Sequence, residues 1–197
     1  QLINPTKTHP KPAQIIFGEL PNVLDLCLPY EYYSAEDLAH RVLYVEASRG
    51  CPFKCQFCLS ALDKKVRDFD LKTLLEAFER LLERGARHFK FVDRTFNLKV
   101  RISTAIMQFF LDKMAQYEDI FLHFEMIPDR FPEELQGYVC QFPVGQIQFE
   151  IGIQTFNIDV ATRIQRCQNY DALRRNLQFL QKTGVHLHTD LIIGLPG

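Results

Sequence analysis

A chain of 197 residues, 47% of them hydrophobic, suffices for one domain with a substantial core and falls short of two domains of ordinary size. Its 23 Lys and Arg against 24 Asp and Glu leave a formal net charge of -1, which removes any global pull toward nucleic acid or anionic lipid. No apolar run reaches the ~18 residues of a membrane-spanning helix and no basic-then-apolar leader stands at the N-terminus, so a soluble, cytoplasmic protein with no membrane partner is expected.

The first 42 residues are interrupted by Pro5, Pro10, Pro12, Pro21 and Pro29 and read as an ordered connector wrapped on the surface. The core domain is expected over 43–197, where short strand-like runs alternate with helical patterns, as in parallel strands joined by crossover helices. The first strand is predicted over Leu43–Ser48 and the second over His88–Asp93. Between them Leu71, Leu74, Leu75, Phe78, Leu81 and Leu82 recur at helical spacing, with Asp70 placed to cap the start and Gly85 to end the helix. A second helix is marked by Ile106, Phe109, Phe110 and Met114 and leads to a strand over Leu122–Met126. A third helix, behind Pro132, uses Leu135, Tyr138, Val139 and Phe142 and leads to Gln146–Gln154. A fourth uses Leu173, Leu177 and Leu180 before Gly184 and leads to His186–Ile193.

Right-handed βα units in series curl toward a barrel, so the fold class is α/β, a partial (β/α)6-type TIM-like barrel of which about five βα units are present, with an open doubly wound sheet as the alternative. Ser48, Asp93, Glu125, Gln154 and the turn at Gly194–Gly197 fall at the carboxyl ends of the strands, which points to a binding face there.

The six cysteines divide into a trio, Cys51, Cys55 and Cys58, and the scattered Cys27, Cys140 and Cys167, unlike a secreted disulfide framework. The trio spells C-x3-C-x2-C on the loop after the first strand. A cubane [4Fe-4S] cluster held by three thiolates keeps one iron open to an outside ligand. Gly50 lets the chain turn sharply off the strand, and Phe53 and Phe57 are placed to shield such a cluster from water. A zinc site would want a fourth Cys or His nearby, and a redox pair formed by Cys55 and Cys58 would leave Cys51 without a task. Both readings stay open beside the cluster, as does a chance grouping of inert thiols.

With its aromatic residue before the last cysteine, this motif after the first strand of a βα series resembles the cluster motif of the radical S-adenosylmethionine superfamily. The resemblance extends from Leu43 to Gly197 and is closest to the members associated with a cobalamin-binding domain. It implies that Cys51, Cys55 and Cys58 ligate a [4Fe-4S] cluster. It also implies that S-adenosylmethionine chelates the fourth iron and is cleaved reductively to a 5′-deoxyadenosyl radical, with a donor such as flavodoxin or ferredoxin supplying the electron. Phe91–Asn97 stands where many members hold the methionine ammonium, which makes Asp93 the implied acceptor; an Asp–Arg pair closing the strand is the plainer alternative.

Glu150-Ile-Gly-Ile-Gln-Thr is similar to the family's Gly-x-Gln-Thr segment, and strand alternation puts Glu150, Gly152 and Gln154 on one face. The implied contacts there are ribose or methionine, with a buried polar layer as the alternative for Glu150. Arg163 and Arg166 follow where members carry a basic residue near the cofactor carboxylate, and Glu125 matches an acidic position of the branch. Asp190–Gly197 resembles the adenine turn, with Ile192 and Gly194 as its backbone contacts. The lone histidines show no ligand spacing.

Two features complete the expectation. The chain stops after the fifth strand where the family's barrel continues to a sixth, so the core is expected to be truncated at its C-terminus, and its start at Gln1 rather than Met points to missing upstream residues. The proline-rich connector resembles the segment that follows a cobalamin domain, which implies cobalamin held by a domain outside this sequence. The expected activity is carbon-group transfer on a small-molecule or unidentified substrate, with nucleic acid not indicated. The alternatives are methylthiotransferase-like modification of RNA or protein and a non-catalytic module that metal stabilises.

Overall fold

In a parallel strand that carries helices on one face only, side chains alternate between a dry side and a wet side. The computed structural model, which describes residues 18–196, follows this rule in every strand of its five-stranded sheet but the last. Pro5, Pro10 and Pro12 of the connector and Gly197 of the final turn lie outside the described residues.

In chain order, the elements begin with helix α1 (Ala35–His40), strand β1 (Leu43–Val45) and the two-residue strands β2 (Ser48–Arg49) and β3 (Arg67–Asp68). Helix α2 (Leu71–Glu83), strand β4 (His88–Phe91), helix α3 (Val100–Met114) and strand β5 (Phe121–Met126) follow. The series closes with α4 (Glu133–Val139), β6 (Ile147–Gln154), α5 (Ile158–Arg163), α6 (Tyr170–Gln181) and β7 (His186–Leu191). The sheet has the order β1-β4-β5-β6-β7 with every neighbouring pair parallel, while β2 and β3 form a separate antiparallel pair. It is an open run of five strands, an α/β architecture in keeping with part of a TIM-like barrel.

The five strands and the four crossover helices stand where their periodicity places them. The helix caps also match: the Asp70 side chain accepts from the Thr73 amide at 2.9 Å, and Gly85 adopts φ 104° just past the end of α2. Three strands end earlier than expected, among them His88–Asp93, which ends at Phe91. The run Leu43–Ser48 breaks after Val45 because the Ala47 amide donates to Asp93 Oδ2 at 2.9 Å instead of to a sheet neighbour, and the chain restarts as β2. The run His186–Ile193 ends at Leu191, beyond a register shift opposite Gly152 and Gln154.

Leu122, Phe124 and Met126 of β5 and Ile147, Phe149, Ile151 and Ile153 of β6 face the helices and are buried. Phe78 of α2 is fully buried among Tyr30, Phe89, Phe91, Phe109 and Phe110, at ring-centroid distances of 5.5–6.4 Å. Tyr30 comes from the connector, so residues 18–42 are more than a spacer. Its hydroxyl accepts from the Glu46 amide at 2.8 Å, and α1 is closed by a capping box between Ser34 and Asp37. Among the described residues no helix is long and apolar enough to cross a membrane.

Candidate cluster and cofactor cavity

The cysteine loop runs from Gly50 to Val66 and is pinched at its base by the β2–β3 pair, which aligns Ser48 with Asp68 and Arg49 with Arg67. Gly50 has φ 97°, and a Cβ there would stand 2.3 Å from the Lys65 carbonyl oxygen, so only glycine fits. The Cys51 amide donates to the Asp63 carbonyl at 2.8 Å, and the Gln56 amide donates to the Ile164 carbonyl at 2.9 Å, latching the loop to the end of α5. Gly50→Ala is expected to cost about 2 kcal/mol from the left-handed backbone alone, with more from the collision. Denaturant titration of the variant checks this, and an unchanged midpoint would contradict the pinch.

Cys51, Cys55 and Cys58 line one cavity of about 340 Å³ together with Phe53, Phe57, Arg94, Glu125, Glu150, Gln154, Arg166 and Asp190. All three thiols are free, and Cys55 is buried. Arg166 brings its guanidinium against Cys55: Nη2 donates to the Gly152 carbonyl at 2.8 Å and Nη1 lies 3.8 Å from Cys55 Sγ, while its buried Nε has no partner. No three His, Cys, Asp or Glu side chains among the described residues gather tightly enough to hold a single ion. A cubane makes a different demand, because each thiolate binds a separate iron corner. Three sulfurs spread around one cavity fit that demand.

The remaining predicted residues divide. Glu150 and Gln154 line the cavity. Lys90 Nζ donates to Glu150 Oε2 at 3.0 Å, and His123 Nε2 stands 2.9 Å from the same oxygen, though poorly aligned as a hydrogen bond. Burial pushes the Glu150 pKa upward, but Lys90 and then His123 outweigh it and hold the carboxyl below its ordinary value. Gln154 adopts φ 70°, rare for a residue with a side chain, and its amide folds back over Gly152, where a Cβ would lie 2.1 Å from Nε2. Arg166 reaches the cavity, whereas Arg163 is exposed and does not line it.

Asp93 stands apart from the cavity. It is 2% exposed and does not line the cavity; Oδ2 accepts from the Ala47 amide at 2.9 Å and Oδ1 from the Ser48 hydroxyl at 2.6 Å, so the carboxyl ties the end of β4 to the break after β1. Arg94 pairs with Glu125 at 3.8 Å and not with Asp93, so the plainer Asp–Arg pair does not close the strand. The strand expected over His88–Asp93 ends at Phe91, so Asp93 lies two residues beyond it.

Burial pushes the Asp93 pKa up to about 6, against the hydrogen bonds from Ser48 and Ala47 that favour the anion. Between the ordinary 3.8 and about 6 the folded chain therefore binds a proton that the unfolded chain has lost, and stability falls as pH rises through that window. Relative to Asp93→Asn, wild type is expected to lose on the order of 3 kcal/mol across that window. Urea titrations of both proteins at each end of the window measure it, and a constant difference would contradict the assignment.

Ile192 and Gly194 also lie outside the cavity lining. The Ile192 amide donates to the Gln154 carbonyl at 2.9 Å, and Gly194 has φ 85° with open space where a Cβ would stand. The sequence reading passed over Lys90, His123 and His188, although the period-two pattern of the strands already put them on the face opposite the core.

The family model described as Radical SAM superfamily matches residues 45–197. The chain belongs to the radical S-adenosylmethionine superfamily. An uncharacterized methyltransferase of Pyrococcus horikoshii is 34% identical over 110 residues, a match that covers 52% of this chain and 24% of the relative. The radical S-adenosylmethionine methyltransferase TsrM from Kitasatospora setae, solved with cobalamin and a [4Fe-4S] cluster bound, superposes with TM-score 0.68 at 15% identity. That match covers 80% of this chain and 32% of TsrM. The same enzyme with tryptophan substrate and an aza analogue of S-adenosylmethionine gives TM-score 0.67 at 15% identity, covering 79% and 31% of the two chains. The chain thus spans a minor part of each relative's length, and the likeness to TsrM is one of fold.

Proposed function

We propose that this chain is the cluster- and S-adenosylmethionine-binding core of an enzyme that transfers a methyl or related carbon group. The observation that carries the reading is the convergence of Cys51, Cys55 and Cys58 on one cavity that also holds Glu150, Gln154 and Arg166. Bound there, a [4Fe-4S] cluster with one open iron would chelate S-adenosylmethionine and supply the electron for its reductive cleavage to a 5′-deoxyadenosyl radical. The protein's own part is to hold and shield. Phe53 and Phe57 stand in the cavity wall, Arg166 supplies fixed positive charge beside Cys55, and Glu150 and Gln154 offer acceptors on the floor. Ile192 and Gly194 remain the proposed backbone contacts for an adenine ring.

Methyl transfer is favoured because both kinds of relative are described as methyltransferases. Cobalamin, an external one-electron donor such as flavodoxin or ferredoxin, and a small-molecule acceptor complete the proposal. Full-length protein reconstituted anaerobically with iron and sulfide is expected to hold about four irons per chain in an oxygen-sensitive cluster. On reduction it is expected to consume S-adenosylmethionine. Protein that takes up no iron, or one zinc per chain in its place, would overturn the reading.

A further inference from the structure

The cavity floor holds two carboxylates side by side. Glu125 of β5 and Glu150 of β6 are direct partners in the parallel register, and both line the cavity. Their surroundings differ. Glu150 receives Lys90 and His123, which are themselves register partners on β4 and β5. Glu125 has Arg94, at 3.8 Å and half exposed, as its one ion-pair partner among the described residues, with Lys90 acting more weakly and Glu150 beside it. The other charged or titratable groups near this floor are His188 and Asp190 of β7, 3.3 Å apart, and Arg166, which is held by Gly152. Adjacent like charges resist joint ionisation, so the better neutralised partner takes the charge and the other keeps its proton longer. The directions agree: burial, with Glu150 adding to it, raises the Glu125 pKa, while Lys90 and His123 bring that of Glu150 down.

We infer that Glu125 is the proton-exchanging group of this cavity, with Glu150 as a fixed anion and Lys90 and His123 as its positioning residues. A cationic ligand entering the cavity stabilises the Glu125 carboxylate, so the carboxyl releases its proton to solvent as the ligand binds. The freed carboxylate is then a base. It takes the proton of a substrate N–H or O–H onto Oε, leaving the bonding pair on the substrate atom. The order matters, because the ligand arms the base before a substrate arrives. The substrate class is one that carries an acidic N–H or O–H. This inference rests on the function proposed above, since it takes S-adenosylmethionine, a sulfonium and ammonium, as the arming ligand.

Calorimetric titration of the reconstituted full-length protein with S-adenosylmethionine, in two buffers of different ionisation enthalpy, counts the protons released on binding. Wild type is expected to release a fraction of a proton that peaks at one pH. Glu125→Gln should bind without that release, and Glu150→Gln should move the peak to lower pH by relieving the neighbouring charge. Arg94→Met should move it to higher pH, and this arm decides the matter if Glu125→Gln fails to bind. Release unchanged in Glu125→Gln, or a peak unmoved in Arg94→Met, overturns the inference and leaves the function standing. Absence of S-adenosylmethionine binding in wild type overturns both.

Discussion

Replacing Cys51, Cys55 and Cys58 together with alanine in the full-length protein should abolish uptake of iron and sulfide into the site this chain provides, from about four irons to none. The three thiols belong to one loop, line one cavity and are free, and no other described trio could replace them. The backbone bonds that pinch and latch the loop do not use the sulfurs. It is pinched by Gly50 and the β2–β3 pair and latched through the backbone of Cys51 and Gln56, so the variant should keep its helix content. Cys27→Ala with Cys140→Ala is the control, because both residues are exposed and away from the cavity, and iron uptake should be unchanged. Iron and sulfide analysis beside circular dichroism reads the result. A triple variant that still assembles the visible chromophore of this site would refute the ligand assignment.

Phe78→Ala should lower the unfolding free energy by about 3–5 kcal/mol, the range for deleting a fully enclosed aromatic ring. The ring touches the connector through Tyr30, strand β4 through Phe89 and Phe91, and helix α3 through Phe109 and Phe110, so no single element can move in to fill the space. Phe57, 40% exposed on the cysteine loop, supplies the comparison: its replacement by alanine should change stability by less than about 1 kcal/mol. Urea titration under reducing conditions measures both, and equal effects would mean that Phe78 does not sit at the centre of the core.

Much of this was legible in the residues. Helical periodicity located the four crossover helices, and alternation in the strand expected over Gln146–Gln154 put Glu150, Gly152 and Gln154 on one face, as the observed strand has them. The cysteine spacing located the site because the motif is local, and its loop carries its own glycine pivot. What escaped was set by tertiary contact. Asp93 reads as a mouth residue until the strand is seen to end at Phe91 and the carboxyl to turn toward Ala47 and Ser48. Lys90, His123 and Glu150 lie 33 and 27 residues apart in sequence and meet only because strands β4, β5 and β6 pair in one register. Helix α5, six residues long, was too short for a periodic signal, and its Asn157 cap was the one mark it left.

The strict division of β4, β5 and β6 into an apolar and a polar side makes fold and chemistry separable quantities. Sliding one strand by a single residue would trade Phe149 for Glu150, so the cohesion of the aromatic interior guards the alignment of the acids and bases across the sheet. Within that alignment the wet side is free to vary. New specificities can arise by exchanging residues at 90, 123, 125 or 150 while the framework that aims them keeps its strength.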